Sequence, residues 1–554
     1  MKLNHLVRII ATVAVLCDCA RAATAEIDGG SAKVQAIDSI FMQWNSPNTP
    51  GCALAIGHKG EPVLTRAYGS ADLEHNAAIT PATIFEAGSV SKQFTAASIL
   101  LLAAQGKLAL TDDVRKYIPE LPDYGAPITL NELLGHTSGL RDWGEVEAMA
   151  GWPRGSRVYT SADALDVAVR QKSLNYRPGS AYLYTNTGYN LLATIVERVS
   201  KISLAEFTRR QFFQPLGMIN TQWRDDFRRI VRGRAIAYEA LKDNYRQKMP
   251  FEDVYGHGGL LTTVGDLLIW NDALTTGKLG AFVTAEIQRP TVLDSGREIA
   301  YARGLFVRLY QGVREISHDG STAGYRAWLG RYPDQQLSIA LLCNSDGANS
   351  PKLAHQVADV FLPAQPPPAS MTLTAGQLAP YVGLFVDDSM GMPVRLTMHG
   401  GSLVLSGERQ LIPTSTREFR VGTSKIQFFG SDHFLLQSPD GDALQYQRAQ
   451  AWLPQPRELT ALAGRYTSDE ALATYRVSVT AGGSVVLTPQ DRQGQALPLK
   501  PVLADTFEWG DNGDSVVHFM RDLRGQVTGL QMSNSRVRAL PFHRLPSDEL
   551  PHSE

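Results

Sequence analysis

The chain has 554 residues, of which 44% are hydrophobic and 19% charged, and its net charge is -2. That length and apolar content specify a globular protein of several domains with a large core, and exclude a disordered or fibrous chain. The balanced charge leaves no electrostatic footprint for nucleic acid or an anionic membrane, and the 4 cysteines are too few for a disulfide framework or a multi-ligand zinc site.

At the amino terminus, Lys2 and Arg8 flank or precede an apolar run over residues 9–16, followed by Ala20-Arg21-Ala22 and Ala23-Thr24-Ala25, both of the A-x-A cleavage form. This reads as a signal peptide over 1–25 and predicts a secreted or periplasmic protein. Asp18 ends the run short of the roughly 18 residues a membrane span needs, so no insertion is expected after cleavage. Cys17 and Cys19 leave with the signal, and neither follows the small residues of a lipoprotein signal. Cys52 and Cys343 remain; an oxidising compartment permits a bridge, and the sequence leaves a bridge and two buried thiols equally open.

Next comes a hairpin: an apolar run over 52–56, a turn at His58-Lys59-Gly60-Glu61, and a return over 62–68. Helices are predicted at about 89–105, 129–135, 161–171, 187–200, 204–211 and 264–275, and strands at 325–332 and 337–342. Strands at both ends with helices between them predict one α+β domain over 26–362, its sheet joining the two ends. The proline-rich stretch 363–372 reads as a linker.

Beyond it lies an internal repeat. Leu378-Ala379-Pro380-Tyr381-Val382-Gly383-Leu384-Phe385 matches Leu459-Thr460-Ala461-Leu462-Ala463-Gly464-Arg465-Tyr466, and Gly400-Gly401-Ser402-Leu403 matches Gly482-Gly483-Ser484-Val485. Both copies alternate apolar and polar residues, which predicts two small antiparallel β-barrels, 373–452 and 453–545. Neither copy carries a catalytic constellation. A chain ending near Pro363 is therefore expected to keep a reactive nucleophile with altered selectivity.

Three short motifs carry chemistry. Ser89-Val90-Ser91-Lys92 opens an apolar helix, and positions i and i+3 share a face, so the Lys92 amine lies one turn from the Ser89 hydroxyl. A serine needs an adjacent base, and a lysine can be one where burial or nearby positive charge lowers its pKa. Tyr184-Thr185-Asn186 offers a proton-shuttling phenol and an amide that can hold a substrate carbonyl. His318-Asp319-Gly320-Ser321 precedes the strand expected near Tyr325; Gly320 would admit a ligand close to the backbone, and the Ser321 N–H could be an oxyanion donor.

In order and spacing these motifs resemble the serine β-lactamase and penicillin-binding superfamily, in its branch around class C β-lactamases and D-aminopeptidases. Leu133-Leu134-Gly135-His136-Thr137-Ser138-Gly139-Leu140 and the stretch 258–267 fit it as well, so the resemblance covers about 35–360. It implies that Ser89 is acylated, that Lys92 and Tyr184 share the proton transfers, that Asn186 orients the substrate amide, and that the N–H groups of Ser89 and Ser321 hold the oxyanion. His136 and His257 are read as structural. His318 stands where true lactamases carry a lysine, and as a weaker, pH-dependent cation it favours peptidases and esterases of the family over β-lactam hydrolysis. A catalytic domain followed by two barrels is also the layout of the D-aminopeptidases. The expectation is thus an exported serine hydrolase, a D-amino-acid-selective peptidase or amidase, with a small peptide, amide or ester substrate and no cofactor or metal. An esterase, a β-lactamase or D,D-carboxypeptidase, and a non-catalytic sensor are the alternatives in that order. The oligomeric state cannot be read.

Overall fold

A computed structural model describes residues 30–363, 370–389, 391–407, 409–439, 443–480, 482–490, 496–510 and 514–546. The expected signal peptide and the centre of the expected linker lie outside the described residues. Among those described, no helix is long and apolar enough to cross a membrane.

Helix α1 (Gly30–Ile40) leads into a hairpin of β1 (Cys52–His58) and β2 (Glu61–Tyr68). The other end of the region supplies β3 (Phe306–Tyr310), β4 (Val313–Thr322), β5 (Tyr325–Tyr332) and β6 (Leu337–Cys343). These six form one antiparallel sheet in the order β3-β4-β5-β6-β1-β2. The two chain ends therefore meet in one sheet, β1 lying between β6 and β2. Cys52 lies opposite Cys343 in that register, and a disulfide joins them.

Both faces of β1 are buried, which is why it reads as an unbroken apolar run. Ala53 and Ala55 face the main helical layer, which contains α2 (Lys92–Ala104), α3 (Thr187–Ser200) and α4 (Val264–Thr276). Cys52, Leu54 and Ile56 face α1 and α5 (Ser350–Asp359). The third motif precedes β5 as expected, but it lies on a strand of its own, β4, which the sequence did not show because it buries Glu315, Ser317 and His318 and so lacks the apolar alternation that marks a strand.

The tail holds the expected repeat. The strands Gly383–Asp387 and Gly464–Ser468 open the two units, each behind a short helix, Ala375–Leu378 and Pro456–Thr460. The last unit is a closed eight-stranded barrel. The middle unit curls a nine-stranded sheet until its edge strands, Arg409–Gln410 and Ile412–Pro413, are separated only by Leu411.

The two units relate to the rest of the molecule differently. The middle one has its own core, including Phe385, Ile426, Phe428 and Phe434. The last barrel shares a core with the catalytic unit: Trp143, Val146, Met149, Tyr159 and Val167 cluster with Tyr475, Val477, Leu487 and Phe542. Tyr475 Oη donates to the Met149 carbonyl at 2.8 Å, and Arg141 pairs with Glu470 at 3.0 Å with both side chains at most 2% exposed.

Candidate active site

A turn at Gly88–Ser91 delivers the chain into α2 and sets Ser89 one turn before the buried Lys92. Lys92 Nζ lies 3.2 Å from Ser89 Oγ, 2.9 Å from Asn186 Oδ1 and 2.8 Å from the His257 carbonyl. Among the described residues no carboxylate pairs with it. Burial foremost, then the charge of Arg536, pushes its pKa well below the ordinary lysine value. A neutral amine has two N–H donors and one lone pair. Asn186 and His257 occupy the donors, which leaves the lone pair for the Ser89 proton.

Gly320 and Gly88 bring the oxyanion donors together. A Cβ on Gly320 would stand 2.0 Å from the Ala87 carbonyl, and one on Gly88 would stand 2.7 Å from Ser321 N. Only glycines let β4 press against the turn that carries Ser89, so the backbone of Ser321 lies beside it.

Asn186 stands at the N-cap position of α3 without a side-chain capping bond, and its backbone N–H donates to the Asp142 carboxylate at 2.6 Å. Tyr184, two residues earlier, is half-buried, and its buried hydroxyl has no hydrogen-bond partner among the described residues. Burial raises its pKa, while the adjacent Ser89 hydroxyl and the Arg536 charge pull the other way. Its ring lies 4.2 Å from His136 and 4.8 Å from Lys92 Nζ.

His318 differs from the expected weak cation. Burial pushes its pKa down to about 4, with the Asp319 charge opposing. Its Nδ1–H donates to the Asp319 carbonyl at 2.6 Å, which leaves Nε2 to accept from Tyr301 Oη at 3.4 Å. A neutral tautomer is thereby fixed where a lysine would have placed a permanent charge.

These groups line one cavity of about 450 Å³, formed by Gly88, Ser89, Tyr182, Tyr184, Asn186, Gly258, His318, Asp319 and Ser321 together with residues outside the motifs: Arg154, His257, Phe306, Thr322, Ser438 and Arg536. Lys92 lies behind Ser89 and Asn186. His136 touches Tyr184 but not the cavity, as a structural residue would. His257 reaches it. Asn190 Nδ2 donates to the Tyr255 carbonyl at 2.8 Å and meets His257 Nδ1 at 2.9 Å, so Nδ1 accepts and Nε2 keeps the proton. That Nε2 is buried and has no partner among the described residues.

Charge around the cavity is uneven. Arg154 pairs with Glu252, which also meets Arg224, itself bonded to Glu86 at 2.8 Å. Two guanidiniums thus balance two carboxylates. Asp319 and Arg536 have no ion-pair partner among the described residues.

A hydroxyl backed by a neutral buried amine, with two backbone N–H groups converging beside it, defines a serine hydrolase of the penicillin-recognising type. The Beta-lactamase family model matches residues 34–361, more than half of the chain, and the protein belongs to that family. It is a serine hydrolase. It is 26% identical over 518 residues to a D-aminopeptidase of Brucella anthropi, covering 90% of this chain and 95% of the relative, and 26% identical over 526 residues to one of Brucella melitensis, covering 90% and 96%. The fold is shared with the octameric penicillin-binding protein homologue from Pyrococcus abyssi, with TM-score 0.56, 22% identity, and 74% and 99% of the two chains covered. It is shared also with the D-amino acid amidase from Ochrobactrum anthropi SV3, with TM-score 0.51, 22% identity, and 60% and 99% covered.

Proposed function

We propose that the protein is an exported hydrolase that releases an N-terminal D-amino acid from short peptides or amides through an acyl-enzyme on Ser89. The observation that carries the chemistry is the buried Lys92 amine 3.2 Å from the Ser89 hydroxyl. Lys92 takes the hydroxyl proton as Oγ adds to the substrate carbonyl. The N–H groups of Ser89 and Ser321 hold the oxyanion. Tyr184 and Lys92 pass a proton to the leaving nitrogen as the C–N bond breaks, and water then cleaves the ester by the reverse proton path. Asn186, engaged at Oδ1, keeps its amide N–H for the substrate carbonyl.

Asp319 supports an amino-terminal substrate. Its unpaired carboxylate in the cavity suits an ammonium group, and the neutral His318 beside it offers no competing charge. D-selectivity rests on the two D-aminopeptidases similar over nearly the whole chain. Export rests on the signal-like terminus and is supported by the Cys52–Cys343 disulfide.

The test is hydrolysis of D- and L-amino acid nitroanilides, acyl nitrophenyl esters and nitrocefin, with intact-mass spectrometry after a fluorophosphonate. The D-nitroanilide should be preferred, and one adduct should form that Ser89→Ala abolishes. An adduct persisting in that variant removes Ser89 from its role; faster turnover of L-substrates or esters removes the substrate assignment.

A further inference from the structure

The loop between the last two barrel strands, Val527–Asn534 and Leu540–Arg544, leaves its barrel and enters the catalytic unit. Its backbone is fastened there. The Arg536 carbonyl accepts from Asp142 N at 3.4 Å and Asn175 Nδ2 at 3.2 Å, and Arg538 N donates to Asn175 Oδ1 at 2.8 Å. Asn534 Nδ2 donates to Glu145 Oε2 at 2.8 Å, and Arg141 Nε to the Arg538 carbonyl at 3.1 Å.

What this loop delivers is the Arg536 side chain. It lines the cavity of Ser89, and its guanidinium lies over the Tyr184 ring, 5.3 Å from the centroid. Among the described residues it makes no side-chain hydrogen bond and no ion pair. Asp142 and Glu145 are nearby but are spent on the cap of the helix Trp143–Met149, on Asn186 N and on Asn534. A guanidinium held against a ring beside a reacting serine, with its donors unused, is a site for a planar anion. Tyr184 serves the leaving nitrogen, so a group stacked over its ring faces the leaving-group side. Asp319, not within ion-pair distance of Arg536, is left for the ammonium.

We propose that Arg536 is a specificity-determining residue, supplied by the last barrel to bind the C-terminal carboxylate of the substrate, so that the preferred substrates are zwitterionic di- and tripeptides. This rests on the acyl-enzyme reading above and narrows its substrate class. It also gives the barrel a direct place at the site: without it the cavity is left with Arg154, whose guanidinium is already paired with Glu252.

The full-length enzyme should be assayed on a D-alanyl dipeptide as the free acid and as its C-terminal amide. The free acid should have the higher kcat/KM, and Arg536→Gln should reduce the acid-to-amide ratio by about 30-fold or more, as expected for losing charge-assisted hydrogen bonds. Arg536→Lys should keep part of the ratio, and Arg536→Glu should invert it. A structural lesion would lower both substrates together and invert nothing. Binding of the same two peptides to Ser89→Ala, with and without Arg536→Gln, reads recognition without turnover. If the native enzyme cleaves neither peptide but Ser89→Ala binds the acid through Arg536, the hydrolytic reading falls and this one stands. If acid and amide bind equally, or the preference survives Arg536→Gln, the proposal is overturned.

Discussion

At the scale of single residues, the site depends on keeping basic groups uncharged. Lys92 is depressed by burial and by Arg536, and its amine must be neutral to act. Lys92→Ala and Tyr184→Phe should each lower kcat by about 100-fold or more with the melting temperature retained; a change confined to KM would contradict the proton-transfer roles. The buried imidazoles extend the argument to stability. His136, His257 and His318 all have pKa values lowered chiefly by burial, His318 to about 4. The unfolded chain takes up protons near about pH 6.5 that the folded chain refuses. Stability is therefore intact above that value and is lost as pH falls toward about 4. Melting curves at stepped pH should show this loss, with a shallower slope in His318→Gln; a flat profile would mean that the imidazoles protonate inside the fold. The Ser89–Lys92 pair was legible because helix periodicity fixes it within one turn. Arg154, His257 and Arg536 were not, because their place in the cavity comes from contacts distant in the chain that leave no local pattern.

At the scale of elements, β4 decides whether the oxyanion donors converge. Its residues Val313-Arg314-Glu315-Ile316-Ser317-His318 look too polar for a buried strand, and the polarity is tolerated because it is satisfied. Glu315, fully buried, accepts from Tyr332 Oη at 2.8 Å and Ser317 Oγ at 2.7 Å, and pairs with His355 at 2.7 Å and Arg308 at 3.1 Å. Hydropathy could not anticipate partners on three other elements, so the hairpin β1–β2 and the apolar β5 and β6 were readable while β4 was not. The helix Trp143–Met149 was hidden likewise, being short and capped by Asp142. The functional weight of β4 is on Gly320. In Gly320→Ala the new methyl would meet the Ala87 carbonyl at 2.0 Å, and the backbone there cannot swing aside as a side chain would. The strand must retreat from the Ser89 turn, at a cost of about 1–3 kcal/mol. The expected result is a folded protein with a lowered melting temperature that labels with fluorophosphonate at least about 100-fold more slowly. Labelling at the native rate would show that Ser321 does not serve the oxyanion.

At the scale of the whole molecule, the repeat was visible in the sequence but its unequal attachment was not. Alternating strands reveal a barrel; they do not reveal that helices Trp143–Met149 and Ser161–Arg170 fill one core with the last barrel. This changes what truncation should do. A chain ending near Pro363, expected from sequence to keep a reactive nucleophile, would bare Trp143, Val146, Met149 and Tyr159 and strip Arg141 of Glu470. An exposed patch of that size favours aggregation. The same coupling can be read without truncation. Arg141→Met leaves Glu470 buried with one oxygen already unpartnered among the described residues, a loss of about 3–5 kcal/mol for breaking a buried pair from one side. Because the core is shared, the catalytic unit and the last barrel should lose stability together as one calorimetric transition. The middle unit has its separate core, so it should melt largely unchanged even though an ion pair from Arg395 reaches Glu508 of the last barrel at 2.6 Å. Hydrogen exchange would assign the transitions: faster exchange in both α3 and the strands Ala473–Val479 and Val527–Asn534 supports the shared core. Loosening confined to the barrel strands, with α3 as protected as before, would show that the barrel is only docked on a catalytic unit that stands alone.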